Sequence, residues 1–378
     1  MTPEPPMSPE PPVTVEPPVT VGSTATPLLE VDDLRTTFHT PRGAVRAVDG
    51  VSLRLSAGET IGIVGESGSG KSVLGRTIMG LISAGPATEV RGTVRIGGRD
   101  VHALAPGERR RLWGPEVAMV FQDPMTSLNP TKRIGTHLTE TLRLHLGLRR
   151  GAATDRAIEL LVQVGIPEPR RRVRQFPHEL SGGMRQRVVI ALALACSPKL
   201  LIADEPTTAL DVTVQKQILD LLGTLAERLE MATILISHDL GVIAGRTDRV
   251  AVMYAGRIAE TAATATVFEH PLHPYTDALI GSIPRLSNEP HAELRVIDGN
   301  PPDMSAPPPG CRFAPRCVHA FERCREEAPP PHEPLAYDAR HSVACHAPLL
   351  PTPKADSRDA GPRDADSRDA GSMNRGDD

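Results

Sequence analysis

The sequence has few cysteines, few aromatic residues and no long apolar run. Only five of its 378 residues are cysteine, and four of these lie close together near the end. This is not the pattern of a secreted disulfide framework. The longest apolar stretch, residues 188–196, falls well short of the roughly 18 residues that a membrane-spanning helix needs. We therefore expect a soluble chain or one peripheral to a membrane. The net charge of −4 argues against a dedicated nucleic-acid binder.

Proline, in contrast, is abundant, and the two ends account for much of the bias. Residues 1–26 are rich in Pro, Glu, Thr and Val, without the basic and apolar regions of a secretory signal. They are predicted to form a disordered, extended arm. Residues 351–378 repeat the segment Ala-Asp-Ser-Arg-Asp-Ala-Gly and hold almost no apolar side chains. They are predicted to be a disordered tail, because such a segment cannot bury a core.

A phosphate-binding pattern, G-x-x-x-x-G-K-[ST], organises the chain. Its eight positions are Gly65, Glu66, Ser67, Gly68, Ser69, Gly70, Lys71 and Ser72. A predicted buried strand at 61–64 precedes it and a predicted helix at 73–81 follows, which is the context that the pattern requires. The glycines let backbone N–H groups approach phosphate oxygens. Lys71 is predicted to reach the β- and γ-phosphates of a nucleotide, and Ser72 to bind Mg²⁺. A plain Gly/Ser turn is the disfavoured alternative.

Polar residues follow three other apolar segments that are predicted to be strands. Gln122 follows 117–121, Asp204 and Glu205 end the segment 200–205, and His238 follows 233–236. An Asp beside a phosphate loop fits Mg²⁺ ligation, and the adjacent Glu fits polarisation of a water molecule. Gln122 is placed to touch Mg²⁺ or water. His238 is placed to contact a γ-phosphate, although an isolated His is more often a core or surface residue.

Several helix starts are predicted from capping residues. Ser181 precedes Gly182 and Gly183 and would cap a helix, forming a second anion site, although such a sequence alone is usually a turn. Asp211 is predicted to cap a long amphipathic helix. Residues 125–180 are predicted to be mostly helical, with Thr154 as an N-cap. The alternation of strands and helices predicts an α/β fold with a mostly parallel sheet.

Taken together and in order, these motifs resemble the ATP-binding cassette (ABC) ATPases. The resemblance covers roughly residues 28–265 and implies an ABC-type P-loop NTPase domain at 27–268. It implies a mostly parallel core sheet, an antiparallel β subdomain and an inserted helical subdomain at about 124–185. Phe38, which by itself fits a core aromatic equally well, is implied to pack against adenine. Met184 stands where the family's signature commonly has Gln.

The resemblance also assigns roles around ATP and Mg²⁺. It implies that Ser72, Gln122 and Asp204 surround Mg²⁺, that Glu205 is the catalytic carboxylate and that His238 contacts the γ-phosphate. Lys71 and Gln122 would complete the catalytic set. The signature residues Ser181 and Gly183 would act on ATP held by a partner cassette, with Asp211 in the loop between the two.

Two further segments, 122–130 and 270–276, look like those of the peptide and nickel importers, as does a C-terminal extension at 269–350. The implied protein hydrolyses ATP to energise peptide uptake at the cytoplasmic face of the membrane. The implied partners are a sister cassette, two transmembrane permease subunits and an extracytoplasmic substrate-binding protein, but no nucleic acid. Nickel import, a non-transport ABC ATPase, an exporter ATPase and a module sensing iron or redox state are the alternatives.

The four late cysteines are Cys311, Cys317, Cys324 and Cys345. They form no C-x₂-C pair, so a zinc ribbon is not indicated, but four thiolates are enough for a [4Fe–4S] cluster. Nearby histidines at 319, 341 and 346 could replace a ligand. Residues 310–317 match the Gly-Cys-x-Phe-x-Pro-Arg-Cys pattern of the family's extension, which suggests a structural iron–sulfur cluster. Zinc, free thiols and disulfides remain open. Cys196 is predicted to be a core residue.

Overall fold

A computed structural model describes residues 27–208, 210–283, 297–334 and 340–349. The predicted disordered arm and tail therefore lie outside the described residues. The strands are β1 (Leu29–Thr40), β2 (Gly43–Leu55), β3 (Thr60–Val64), β4 (Thr88–Ile96), β5 (Arg99–Asp100), β6 (Val117–Val120), β7 (Leu200–Asp204), β8 (Ala232–Ser237), β9 (Arg249–Tyr254), β10 (Arg257–Ala263) and β11 (Ser342–Val343). The helices are α1 (Lys71–Ile78), α2 (Pro106–Leu112), α3 (Pro124–Ser127), α4 (Ile134–Leu146), α5 (Arg150–Gln163), α6 (Pro169–Arg172), α7 (Gly182–Ala193), α8 (Val212–Arg228), α9 (Leu240–Ile243), α10 (Thr264–Glu269), α11 (Pro274–Gly281) and α12 (Glu322–Glu326).

The first sheet has four antiparallel strands in the order β2-β1-β4-β5. Its hairpins turn after Thr40 and at Gly97-Gly98. The residues on its inner face, such as Val31 and Val94, are fully buried and alternate with partly exposed ones. This alternation is typical of an antiparallel sheet with one face on the core.

The second sheet has seven strands in the order β11-β10-β9-β3-β8-β7-β6. The five strands from β9 to β6 are parallel, and β10 is antiparallel to both of its neighbours, β9 and β11. The mostly parallel sheet is thereby confirmed. Four adjacent strands, β3, β8, β7 and β6, end at the same edge, since parallel strands share their direction. That edge receives the phosphate loop, His238, the Asp204-Glu205 pair and Gln122.

Helices α4 to α6 lie between β6 and α7. The buried face of α5 consists of Ala153, Ala157, Leu160 and Leu161. Our prediction that Thr154 caps this helix is wrong, since the helix begins at Arg150 and Thr154 lies inside its first turns. The Thr154 hydroxyl instead donates to the Arg150 carbonyl at 2.9 Å. A threonine in a helix interior makes this backbone contact without marking a helix end.

The chain after α10 packs back onto the seven-stranded sheet. Residues 342 and 343 add β11 to the edge of β10. Beneath it, the buried Glu260 carboxylate accepts hydrogen bonds from the backbone N–H groups of Leu272 and His273 and pairs with His341 at 2.7 Å. Phe313 packs against Tyr254 and Tyr275, with ring centroids 5.3 Å apart in both cases. The extension is therefore attached by a buried polar cluster and an aromatic one. Within the described ranges, no helix has the length and apolarity to cross a bilayer.

Candidate functional site

The phosphate loop joins β3 to α1, and neighbouring backbone packs closely against its glycines. Gly65 and Gly70 both have positive φ angles, of 152° and 101°. A Cβ atom at Gly65 would lie 2.0 Å from the Met253 carbonyl oxygen, and one at Gly70 would lie 2.1 Å from that of Ala47. Both fixed glycines of the pattern are thus required, because neighbouring backbone leaves no room for a side chain.

Lys71, the first residue of α1, turns its ammonium back over the loop. Its Nζ donates to the carbonyl oxygens of Gly65 and Glu66 at 2.7 and 2.9 Å. Burial lowers the pKa of Lys71, while the negative charges of Glu205, Asp204 and Glu66 act in the opposite direction. The cation is therefore held at the mouth of the loop among acidic groups, which is where an anionic phosphate would offset its desolvation.

Ser72 and Asp204 form a pair of oxygen ligands. The Ser72 hydroxyl donates to Asp204 Oδ1 at 2.7 Å. Asp204 is fully buried, and burial raises the pKa of its carboxyl. Its second oxygen, Oδ2, has no hydrogen-bond partner and lies 3.9 Å from the Arg76 guanidinium. A buried carboxylate oxygen without a hydrogen bond, next to a hydroxyl, suits a hard divalent cation such as Mg²⁺.

Glu205 is the centre of a second cluster at the same sheet edge. Its Oε2 accepts hydrogen bonds from Gln122 Nε2 at 3.0 Å and from the Thr208 hydroxyl at 3.1 Å, and His238 Nδ1 lies 3.3 Å away. The backbone of Glu205 is left-handed, with φ of 46°, and its N–H donates to the Ile236 carbonyl. A strained residue at a strand end is typical of a functional position. The cluster can orient and polarise a water molecule.

The second anion site predicted from the sequence lies at the start of α7. Ser181 caps this helix by accepting a hydrogen bond from the Met184 N–H at 3.3 Å. A Cβ atom at Gly183 would lie 2.8 Å from Val214 Cγ1, so α7 approaches α8 closely only because this residue is glycine. Asp211 caps α8 through the Val214 N–H at 2.9 Å. Ser181 and Asp211 are both exposed.

Phe38 is half-buried on β1, where its neighbours across the strands are Val45 and Thr88. It thus belongs to the four-stranded sheet rather than to the strand edge that carries Lys71 and Glu205. The structure brings together Gln122, Glu205 and His238, and separately Ser72 with Asp204. Ser181 contacts only its own helix among the hydrogen bonds found in the described part of the chain.

Three residues that contact the site were missed in the sequence. Thr208 bonds to Glu205, while Tyr275 and Arg316 contact Glu66 of the phosphate loop. Thr208 follows the acidic pair by three positions, which was a usable signal. Arg316 lies within the Gly-Cys-x-Phe-x-Pro-Arg-Cys motif, but its partner is 250 positions away and no local pattern connects them.

All four late cysteines line one small cavity, together with residues that include His319, His346 and Phe321. Burial raises the pKa of the Cys311 and Cys317 thiols, and raises that of Cys345 to about 11. Among the residues that the structure describes, no group of three or more His, Cys, Asp or Glu side chains is arranged to hold a metal ion. The four cysteines therefore line the same cavity, but they do not form a complete binding site for a single metal ion. Cys196 is separate from them and buried in the core, as predicted.

Two family descriptions match the chain. "ABC transporter" matches residues 48–208, which contain the phosphate loop, Gln122, the Ser181 region and Glu205. "Oligopeptide/dipeptide transporter, C-terminal region" matches residues 259–324, which include three of the four late cysteines.

Several known proteins are similar to this chain. The "Oligopeptide transport ATP-binding protein OppD" of Bacillus subtilis is 53% identical, over 81% of this chain and 85% of that protein. The Salmonella typhimurium protein of the same name is 50% identical, over 86% of this chain and 95% of that protein. The "Dipeptide transport ATP-binding protein DppD" of Bacillus subtilis is 48% identical, over 84% and 94%. A solved dimeric ATP-binding cassette, in a post-hydrolysis state with ADP and phosphate, has 27% identity and a TM-score of 0.56, over 62% of this chain and 98% of that one.

Proposed function

This chain belongs to the family of ABC transporter ATP-binding proteins, and from that premise we propose that it hydrolyses ATP to energise peptide import. The observation that carries the proposal is the joint presence of two parts in one chain. One is the strand edge where Lys71, Ser72, Asp204 and Glu205 converge. The other is the segment 259–324, which matches the C-terminal region of oligopeptide/dipeptide transporters.

Each residue at the edge has a part in the reaction. The phosphate loop and Lys71 would bind the β- and γ-phosphates, and Ser72 and Asp204 would hold Mg²⁺, with Gln122 near them. When bound, Mg²⁺ offsets negative charge on the phosphates. Glu205, held by Gln122 and Thr208, would orient and polarise the attacking water. His238, beside Glu205, would contact the γ-phosphate. Catalysis of this kind is mainly positioning and electrostatics.

The signature segment is proposed to act on a partner cassette. Ser181 and Asp211 are exposed, and Ser181 bonds only within its helix among the hydrogen bonds found in the described ranges. A helix N-terminus of this kind suits a phosphate supplied from outside. The similarity to a cassette whose solved structure is dimeric supports this arrangement. We infer that two cassettes enclose ATP between them, with Phe38 packing against adenine.

The partners follow from the same proposal. A sister cassette, two transmembrane permease subunits and an extracytoplasmic substrate-binding protein would complete the importer. This chain would bind peripherally at the cytoplasmic face of the membrane. Peptide is favoured over nickel as cargo because the similar proteins are named for oligopeptide and dipeptide transport. Cargo choice itself would reside in the other subunits.

A finer part of the proposal concerns the four late cysteines, to which we assign an iron–sulfur cluster. They line one cavity, in a segment whose sequence is poor in apolar residues. A bound cluster would help such a segment fold. Single-ion zinc binding is the alternative, and the described side chains form no compact three-ligand group for either kind of centre.

Co-purification tests the proposal as a whole. A tagged Glu205→Gln chain would be isolated from native membranes with ATP present, and its partners identified by mass spectrometry. Recovery of two multi-span membrane proteins and a second cassette is expected. A tagged Lys71→Ala chain is the matched control, because it should not form the ATP-closed cassette pair. Recovery of only soluble proteins, ribosomes or DNA would refute the transport role and favour a non-transport ATPase.

A further inference from the structure

We propose that Arg316, in the cysteine-rich extension, is a positioning residue for the phosphate loop and sets its affinity for ATP. The residue lies directly before Cys317 and its side chain reaches Glu66, the first variable residue of the loop. This inference rests on the nucleotide site of the proposed function. It adds to that site a residue outside the ATPase motifs that influences the affinity for ATP.

The contact is a two-pronged ion pair. The two terminal nitrogens of Arg316 lie 2.7 and 3.0 Å from the two carboxylate oxygens of Glu66. The Arg316 side chain is only 5% exposed and that of Glu66 is 25% exposed. Bidentate pairs of this type are among the stronger and more directional contacts in proteins. The bidentate ion pair with Arg316 therefore fixes the orientation of the Glu66 carboxylate as well as attracting it.

Arg316 is itself held in place on every side. Its remaining N–H groups donate to the carbonyl oxygens of Asp298 and Ile297 and to the Tyr254 hydroxyl. The guanidinium carbon also lies 5.8 Å from the centre of the Tyr254 ring. The hydrogen bond with Glu66 raises the pKa of Arg316, so the group stays charged. A guanidinium with all its donors in use cannot be replaced by a lysine ammonium without loss.

Glu66 is fixed at three points, and two of them come from the chain beyond residue 269. Its side chain pairs with Arg316, and its backbone N–H donates to the Tyr275 hydroxyl at 2.9 Å. Its carbonyl accepts the 2.9 Å hydrogen bond from Lys71 Nζ. Glu66 is thus the single residue that connects the extension to Lys71, because both contact it. Tyr275 is fully buried, so this anchor is rigid.

The physical consequence is preorganisation of the loop. A phosphate loop must hold its N–H groups and its lysine in one arrangement before the nucleotide arrives, and any freedom it has is lost on binding. Arg316 and Tyr275 remove that freedom at Glu66. Without the ion pair to Arg316, Glu66 would keep only its backbone contacts. The loop would then adopt more than one conformation, and the position of the Lys71 ammonium would vary with it. ATP affinity would fall, while the groups around Glu205 would keep their geometry.

The extension also contains a built-in control for the experiment. Arg323, on α12, pairs with Glu327 at 2.6 Å and is 60% exposed. It is an arginine–glutamate pair in the same segment with no contact to the phosphate loop among the described residues. Arg323→Ala therefore removes a similar ion pair without touching the inferred path.

The test measures ATP affinity and turnover separately in the full-length protein. Binding of a fluorescent ATP analogue and steady-state hydrolysis would be compared for wild type, Arg316→Ala, Arg316→Lys, Glu66→Ala, Glu66→Gln, the Glu66→Ala/Arg316→Ala double variant and Arg323→Ala. We expect Arg316→Ala to weaken binding and raise KM about tenfold, which corresponds to about 1.4 kcal/mol. The kcat at saturating ATP should stay within about twofold. Arg316→Lys should lie between the two, and Arg323→Ala should match wild type.

The double variant decides whether the pair itself is responsible. Removing both partners should cost little more than removing Arg316 alone, because the contact is lost once. Additive losses in the double variant would overturn the inference, as would equal losses in Arg323→Ala. If Arg316→Ala does not fold, Glu66→Gln is used in its place. Unchanged ATP affinity in Glu66→Gln would refute the inference that the Arg316–Glu66 ion pair sets ATP affinity. Wild-type protein that fails to bind ATP would instead refute the proposed function, so the two failures are distinguishable.

Discussion

The Ser72 hydroxyl donates a 2.7 Å hydrogen bond to Asp204, joining the first helix to the end of β7 across 132 positions of the chain. The pair exists because β3 and β7 flank β8 in a parallel sheet and end at the same edge. Asp204 is fully buried and its Oδ2 has no hydrogen bond. The two residues thus offer oxygens at one point, where Mg²⁺ would bind next to the phosphate loop.

Ser72→Ala should weaken Mg²⁺ binding selectively. The expected result is a shift of at least about tenfold in the Mg²⁺ concentration that half-activates hydrolysis, comparable with the loss of a group that supports a metal ligand. Titration of hydrolysis with Mg²⁺ at fixed ATP measures it. Ser56→Ala, at an exposed turn serine, is the control. An unshifted titration would remove Ser72 from the Mg²⁺ site.

Glu205→Gln should abolish most hydrolysis and spare binding. The amide keeps the side chain's size and its contacts with Gln122 and Thr208, but it cannot accept a proton from water. A loss of about 10²–10⁴-fold in kcat is expected for a group that polarises the nucleophile. Turnover and nucleotide binding would be measured in parallel. Glu230→Gln is the matched control, because Glu230 is also left-handed in backbone conformation but exposed at the end of α8. Normal turnover in the Glu205 variant would exclude the assigned role.

Ser181→Ala should separate binding from partner-dependent hydrolysis. Loss of the cap lowers the free energy of unfolding by about 1 kcal/mol. ATP binding by the isolated chain should not change, because Ser181 bonds only to the Met184 N–H among the described hydrogen bonds. Hydrolysis by the assembled cassette pair should fall. Thr154→Ala, which removes an exposed hydroxyl inside α5, serves as the comparison. Weaker ATP binding by the isolated Ser181 variant would contradict a role on the partner's nucleotide.

Cys324→Ser should remove iron from protein purified without oxygen. Cys324 is a buried member of the cavity that all four late cysteines line, so its loss leaves three thiols. Iron and acid-labile sulfide per chain would be measured by colorimetric assay, and thermal unfolding by calorimetry. The expected result is loss of both elements and a lower Tm, with Cys196→Ser unchanged in metal content. Wild-type protein that contains neither iron nor sulfide would refute the cluster, and zinc in their place would favour the single-ion alternative.

Asp49 should make the free energy of unfolding depend on pH in the acid range. Burial raises the pKa of its carboxyl, but the hydrogen bond from Arg257 and the charges of Arg312 and Arg35 outweigh this, and the net pKa lies below the usual 3.8. A lowered folded-state pKa contributes stability that is present above the unfolded value and lost as the pH falls through the folded value. Asp49→Asn should therefore lower the free energy of unfolding near neutral pH.

The difference between wild type and Asp49→Asn should shrink below about pH 4 as the wild-type carboxyl takes up its proton. Urea unfolding across this range measures it. Asp155→Asn, at an exposed position of α5, is the control and should show a small, pH-independent difference. A gap for Asp49→Asn that stays constant down to about pH 2 would contradict the assignment.

Much of the fold follows from local patterns in the sequence. The strands that precede the phosphate loop, Gln122, Glu205 and His238 are short apolar runs ended by polar residues, and each was recognisable alone. The caps at Ser181 and Asp211 were recognisable for the same reason, since a capping side chain bonds within three residues. Thr154 failed as a cap because the same residue type also bonds backward inside a helix. The sequence does not distinguish these two hydrogen bonds.

By itself, therefore, the sequence determined the phosphate loop, the order of the motifs and the chemistry that they serve. These depend on residue types at short, constant spacings. Only the tertiary structure decided which strand ends are neighbours, how Gln122 and Thr208 meet on Glu205, and that Arg316 grips Glu66. The physical reason is that such contacts join residues far apart in the chain. Their geometry depends on packing of the whole sheet and extension, and no local spacing encodes it.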